Sequence, residues 1–134
     1  MKPTILVIED NEQNLYLMTF MLEKSGYEVV QARDGREGVE LATSVKPTLI
    51  LLDIQLPIMD GYAVARELRR NPELASVPIV AVTSYAMAGD RERVLAAGCT
   101  GYIEKPVNPD TFINEMQEYL PGGRERTPEG GSGK

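Results

Sequence analysis

Short uninterrupted apolar runs alternate with stretches of helical periodicity along most of this chain, and few folds accept that pattern. Thr4 to Ile8 reads as a first strand, and Glu12 to Ser25 as a helix with Leu17, Met18, Met21 and Leu22 on one face, ended by Gly26. The unit then recurs. Glu28 to Ala32 is a strand, and Asp34-Gly35-Arg36-Glu37 opens a helix with an acidic cap and a glutamate three residues on, followed by Val39, Leu41 and Ala42. Leu49 to Leu52 is a third strand, followed by a turn-rich loop to Gly61 and a helix through Val64, Leu68 and Arg69. Pro78 introduces Ile79 to Val82, and a helix from about Gly89 to Ala97 stops at Gly98. Tyr102-Ile103 forms a fifth strand, and Asn108-Pro109 has the form of an N-cap with proline at the first helical position before Phe112, Ile113, Met116 and Leu120.

Parallel crossovers place helices on both faces of a sheet, so the expected class is α/β, doubly wound around a five-stranded parallel sheet. The first, third and fourth strands are almost wholly apolar, whereas the second carries Glu28 and Gln31 and the fifth is flanked by Thr100, Gly101 and Glu104. Polar strands belong at edges, and sequential strands tend to be neighbours, which gives the order 2-1-3-4-5. This is the flavodoxin-like arrangement, whose ligand crevice opens between the first and third strands at their carboxyl ends. Residues 1–120 form the expected domain. Residues 121–134 carry no large apolar side chain to dock and read as a disordered tail or a linker remnant; their final Gly-Ser-Gly-Lys lacks the leading glycine and the flanking strand and helix of a phosphate loop.

Composition narrows the chemistry. The chain has no histidine, so it offers no imidazole base and no histidine metal ligand or nucleophile couple. A formal net charge of -6 argues against nucleic-acid binding, and the apolar runs are too short for a membrane span or a signal core. One cysteine, Cys99, excludes an intrachain disulfide and fits a cytosolic setting; its place after a helix-ending glycine reads as structural.

Polar residues gather where the crevice is expected: Glu9 and Asp10 after the first strand, Asp53 after the third, Thr83 after the fourth and Lys105 after the fifth. Taken alone, Asp10 could cap the next helix, and Lys105 could be a solvated side chain. Together they imply a site. Fully ionised carboxylates about 4 Å apart repel by about 4 kcal/mol per pair at an effective dielectric of about 20, so something positive must offset them. Lys105 supplies one charge, and an all-oxygen donor set points to Mg²⁺, which binds through one or two carboxylates and keeps positions open for phosphate oxygens.

These residues carry a resemblance. Glu9-Asp10-Asn11, the run from Asp53 through Gln55, Pro57 and Asp60 to Gly61, Val82-Thr83-Ser84 and Tyr102-Ile103-Glu104-Lys105-Pro106 resemble the signature of response-regulator receiver domains of two-component signalling, over residues 3–120. Asp53-Ile54-Gln55-Leu56-Pro57 and Thr83-Ser84-Tyr85-Ala86-Met87 are most similar to stand-alone receivers of the cell-cycle type and to receivers of hybrid kinases. The resemblance implies that Asp53 accepts a phosphoryl group from a histidine kinase or histidine phosphotransfer protein. It implies that Glu9, Asp10, Asp53 and the Gln55 carbonyl hold Mg²⁺, and that Thr83 and Lys105 contact the phosphoryl oxygens. Tyr102 would be an aromatic switch, with ordinary edge-strand packing as the alternative, and the Lys105-Pro106 bond would be cis. A downstream protein would meet the surface of the fourth helix, fifth strand and fifth helix. Gln55 and Tyr85 would flank the path of an attacking water. Asp90-Arg91-Glu92-Arg93 reads as a solvated helix face. A phosphoacceptor domain that catalyses only its own phosphorylation and dephosphorylation is the expected function, as a single-domain regulator or as a receiver cut from a larger protein. A phosphorylation-independent interaction module fits the intact site less well, and an aspartyl-phosphate phosphatase would want an aspartate where Gln55 stands.

Overall fold

The computed structural model describes residues 2–57, 59–84 and 87–121; Tyr85, Ala86 and the tail from 122 on lie outside the described residues. Five strands, β1 (Thr4–Ile8), β2 (Glu28–Ala32), β3 (Leu49–Asp53), β4 (Ile79–Thr83) and β5 (Gly101–Glu104), alternate with five helices. The helices are α1 (Glu12–Lys24), α2 (Gly35–Val45), α3 (Gly61–Arg69), α4 (Ala88–Ala96) and α5 (Phe112–Gln117), with a short 3-10 turn at Pro72–Leu74. All neighbouring strands pair in parallel in the order β2-β1-β3-β4-β5. The polar strands stand at the edges, as their side chains require.

Strand side chains alternate between two apolar layers. Ile5, Val7, Leu49 and Leu51 face α1 and α5, where Leu15, Met18, Leu22, Phe112 and Met116 cover them. Leu6, Ile8, Ile50 and Leu52 face the other layer, where Ala42, Val64, Leu68 and Val94 pack. The α1 face differs in detail from the sequence reading: Leu15 is fully buried, while Leu17 is half-buried against the same layer.

The start of α5 differs from the sequence reading only in where the regular helix begins. Asn108 caps the turn that leads into it: its Oδ1 accepts from Asp110 N at 2.9 Å and its carbonyl from Thr111 and Phe112 N at 3.1 and 2.8 Å, with Pro109 at the first position. That first turn is tight, and regular α-helix begins only at Phe112, after Thr111. At the opposite end of the sheet, Arg69 donates to the carbonyls of Leu74, Val77 and Gly98, each at 2.8 Å, and so ties the end of α3 to the turns that lead into β4 and β5. Gly98 terminates the α4 turn at φ +109, a conformation that other residues adopt only with strain.

Candidate functional site

Register gathers the site. Ile8 pairs with Leu52, so the next residues, Glu9 and Asp53, emerge level with one another. Asp53 pairs with Val82, one residue before Thr83, and Thr83 with Glu104, one residue before Lys105. One carboxylate oxygen each from Glu9, Asp10 and Asp53 lies within 4.8 Å of the others. Lys105 Nζ stands 3.2 Å from Asp53 Oδ1 and 3.5 Å from Glu9 Oε1.

Each side chain is held by its neighbours. Asn11, and not Asp10, caps α1, its Oδ1 accepting from Asn14 N at 2.9 Å. Asp10 is therefore released from capping and stays exposed at the crevice mouth. Glu9 Oε2 accepts from Asn11 N at 3.1 Å, and Asp53 Oδ1 from Gln55 N at 2.9 Å. Lys105 N donates to the Thr83 carbonyl at 2.8 Å, and the Lys105-Pro106 bond is cis. Gly61 closes the loop after β3: its N donates to Ile54 O at 3.0 Å, and a Cβ there would fall 2.4 Å from Ile54 Cα and 2.7 Å from the Asp53 carbonyl.

Electrostatics sets the demand on this site. Glu9 and Asp53 are 0 % and 2 % exposed. Burial first, and then the Asp53 charge and a hydrogen bond to Asp53, push the Glu9 carboxyl up to about 7; the Asn11 N–H and Lys105 offset this only in part. Glu9 Oε1 is buried and accepts no hydrogen bond among the described residues, with the Lys105 ion pair at 3.5 Å as its charged neighbour. A buried carboxylate oxygen without a hydrogen bond in an all-oxygen cluster, next to a second buried carboxylate, fits a small hard cation such as Mg²⁺.

Thr83 is 1 % exposed at the end of β4. Tyr102 pairs with Ala81, two residues before the level of Thr83, and is half-buried with the Arg91 guanidinium 5.3 Å from its ring centre. Two features escape sequence reasoning. Gln55 Oε1 accepts from Ser84 N at 3.1 Å and bridges the loops after β3 and β4, and α4 places arginines over two tyrosines. Neither has a local signal, because the partners lie far apart in the chain. No helix among the described residues is long and apolar enough to cross a membrane.

The family model for the response regulator receiver domain matches residues 5–117. The polar-differentiation response regulator DivK of Brucella anthropi is 42% identical over 120 residues, covering 90% of this chain and 98% of the relative. Among solved structures, the chemotaxis protein CheY4 of Vibrio cholerae superposes with a TM-score of 0.86 at 28% identity, over 90% of this chain and 100% of that one. The receiver domain of a sensor histidine kinase of Pseudomonas aeruginosa PAO1 gives 0.81 at 36% identity over 89% of this chain and 98% of its own; that crystal has magnesium coordinated in its active site cleft. Crevice, strand order and sequence agree, and the chain belongs to the response regulator receiver domain family.

Proposed function

We propose that Asp53 is the phosphoryl acceptor of this receiver and that Glu9, Asp10, Asp53 and the Gln55 carbonyl are its Mg²⁺ ligands. The observation that carries this reading is the meeting of three carboxylates within 4.8 Å, with Lys105 Nζ 3.2 Å from Asp53. The bound cation would neutralise charge on the transferring group. An Asp53 oxygen donates its lone pair to the phosphorus of a phosphohistidine on a histidine kinase or histidine phosphotransfer protein, and the P–N pair leaves with the imidazole. Lys105, already paired with Asp53, turns its charge to the phosphoryl oxygens, and the Thr83 hydroxyl supplies a second hydrogen bond. Water cleaves the resulting mixed anhydride and returns the carboxylate. The protein thus catalyses only its own phosphorylation and dephosphorylation.

Shifting a conformational equilibrium from 1:99 to 99:1 needs about 5.5 kcal/mol of differential binding. Charge-assisted hydrogen bonds from Thr83 and Lys105, at roughly 1.5–3 kcal/mol each, are of that order. Tyr102 is the side chain that follows Thr83, and the surface of α4, β5 and α5 meets the downstream protein. A hollow of about 360 Å³ bounded by Tyr102, Thr111, Glu115 and Tyr119 opens on that surface. We further read residues 1–120 as the working unit, residues 121–134 as a tail, and the setting as cytoplasmic. The match to DivK over nearly its whole length supports a single-domain response regulator.

Incubation with acetyl phosphate and Mg²⁺ should add one phosphoryl group, and Asp53→Asn should abolish it; persistent labelling of that variant overturns the acceptor assignment. Asp10→Ala should sharply weaken Mg²⁺ binding, and unchanged affinity moves the cation elsewhere.

A further inference from the structure

Helix α1 is apolar on its outer side as well as its inner one. Leu15, Met18, Met21 and Leu22 face the core, yet Tyr16 and Phe20 point the other way, 71 % and 51 % exposed. Their rings stack 6.4 Å apart at 18°, and Lys24 Nζ lies 5.7 Å from the Phe20 ring centre. A solvated helix face ordinarily carries polar side chains here. With four-residue spacing, Glu12, Tyr16, Phe20 and Lys24 form one continuous ridge, reading acid, aromatic, aromatic, base.

That ridge is complementary to itself. Met18 lies midway between Tyr16 and Phe20, and also midway between Glu12 and Lys24. An antiparallel copy therefore sets Glu12 against Lys24 at both ends and Tyr16 against Phe20 in the middle. A parallel copy would oppose Glu12 to Glu12 and Lys24 to Lys24. Arg33, 2.7 Å from Glu12 Oε2, holds the acidic end in place. We propose that this outer ridge of α1 is a homodimer interface, in which it packs antiparallel beside the same ridge of a second copy about a two-fold axis that crosses the ridge midway between Tyr16 and Phe20. Such a pairing is isologous, and the interdigitation of two ridges of four-residue spacing, each in the groove beside the other, is the commonest way helices cross. One helix face per copy makes a small interface, of the kind that forms and parts readily.

Sedimentation of the unphosphorylated chain, up to about 1 mM where weak specific contacts become populated, should show a concentration-dependent dimer. Phe20→Glu, on an exposed side chain that the fold does not need, should weaken association about tenfold or more and leave labelling by acetyl phosphate unchanged. Glu12→Lys and Lys24→Glu should each weaken self-association, and mixing the two variants should restore it, because the unlike copies regain both end pairs. A chain that stays monomeric throughout, a dimer indifferent to Phe20→Glu, or a mixture no better than its components overturns the proposal. If the chain is monomeric and Phe20→Glu instead blocks binding of a phosphodonor protein, the ridge serves a different partner and self-pairing is overturned.

Discussion

Helices α1 and α4 both start at the crevice, one after β1 and the other after β4, but they are fastened to the sheet by different physics. α1 sinks four large side chains into the core and has a capped N-terminus. Among the described side chains of α4, only Val94 is buried; Leu95 is 54 % exposed and Met87, at its N-cap, 75 %. Its N-cap is half made, with Asp90 reaching back to Met87 N at 3.3 Å. Two arginine–tyrosine contacts add to this, Arg93 at 4.3 Å from the Tyr62 ring centre and Arg91 at 5.3 Å from that of Tyr102. Each buried apolar side chain stabilises by roughly 1.5–3 kcal/mol, and each exposed cation–π contact by about 0.5–1. The wall beside Asp10 is therefore held more tightly than the wall beside Thr83.

The contrast can be broken most directly in the core. Leu22→Ala in α1 should cost about 2–5 kcal/mol in urea unfolding. Val94→Ala removes two methyl groups from α4 and should cost about 1.6 kcal/mol, with hydrogen exchange quickening in α4 before the rest of the chain. Equal losses, or exchange spread evenly, would erase the distinction. Between these lies Gly61→Ala, whose methyl meets backbone rather than a flexible side chain; we expect about 1–3 kcal/mol lost and slower labelling of Asp53 by acetyl phosphate. Arg91→Ala and Arg93→Ala should each cost about 0.5–1 kcal/mol and speed exchange in α4 alone.

The smallest effect gives the sharpest local readout. Cys99, 6 % exposed, follows the α4 turn, and burial pushes its thiol up to about 11, with Arg69 pulling slightly the other way. At pH 8 the thiol is protonated in the closed molecule and reacts only when the α4 end lifts. Modification by a disulfide reagent should be slow in the native chain and several-fold faster in Arg93→Ala. A rate equal to that of the unfolded chain would mean that α4 does not cover it.

Much of this is legible from residue types alone, for identifiable reasons. Strand order follows from which strands carry charge, because an unpaired edge tolerates Glu28 and Glu104 whereas the centre does not. Glu9, Asp10, Asp53, Thr83 and Lys105 stand out because parallel strands deliver their carboxyl ends to one side. The cap at Asn108 is legible, but the first regular turn of α5 is not, because the tight turn over Pro109 to Thr111 uses the same residue types, and Leu15 is hidden because Leu17 satisfies the helical spacing nearly as well.

Periodicity, edge polarity and chain direction, which are properties of neighbouring residues, determined the architecture and the end of the sheet where chemistry occurs. Only the folded molecule decided that Asn11 and not Asp10 caps α1, that one buried Glu9 oxygen is left without a hydrogen bond, that Gln55 ties down Ser84, and that α4 leans on Tyr62 and Tyr102. Each of those depends on a side-chain direction or on a partner distant in the chain. Such distances exist only once the sheet has brought its strand ends together.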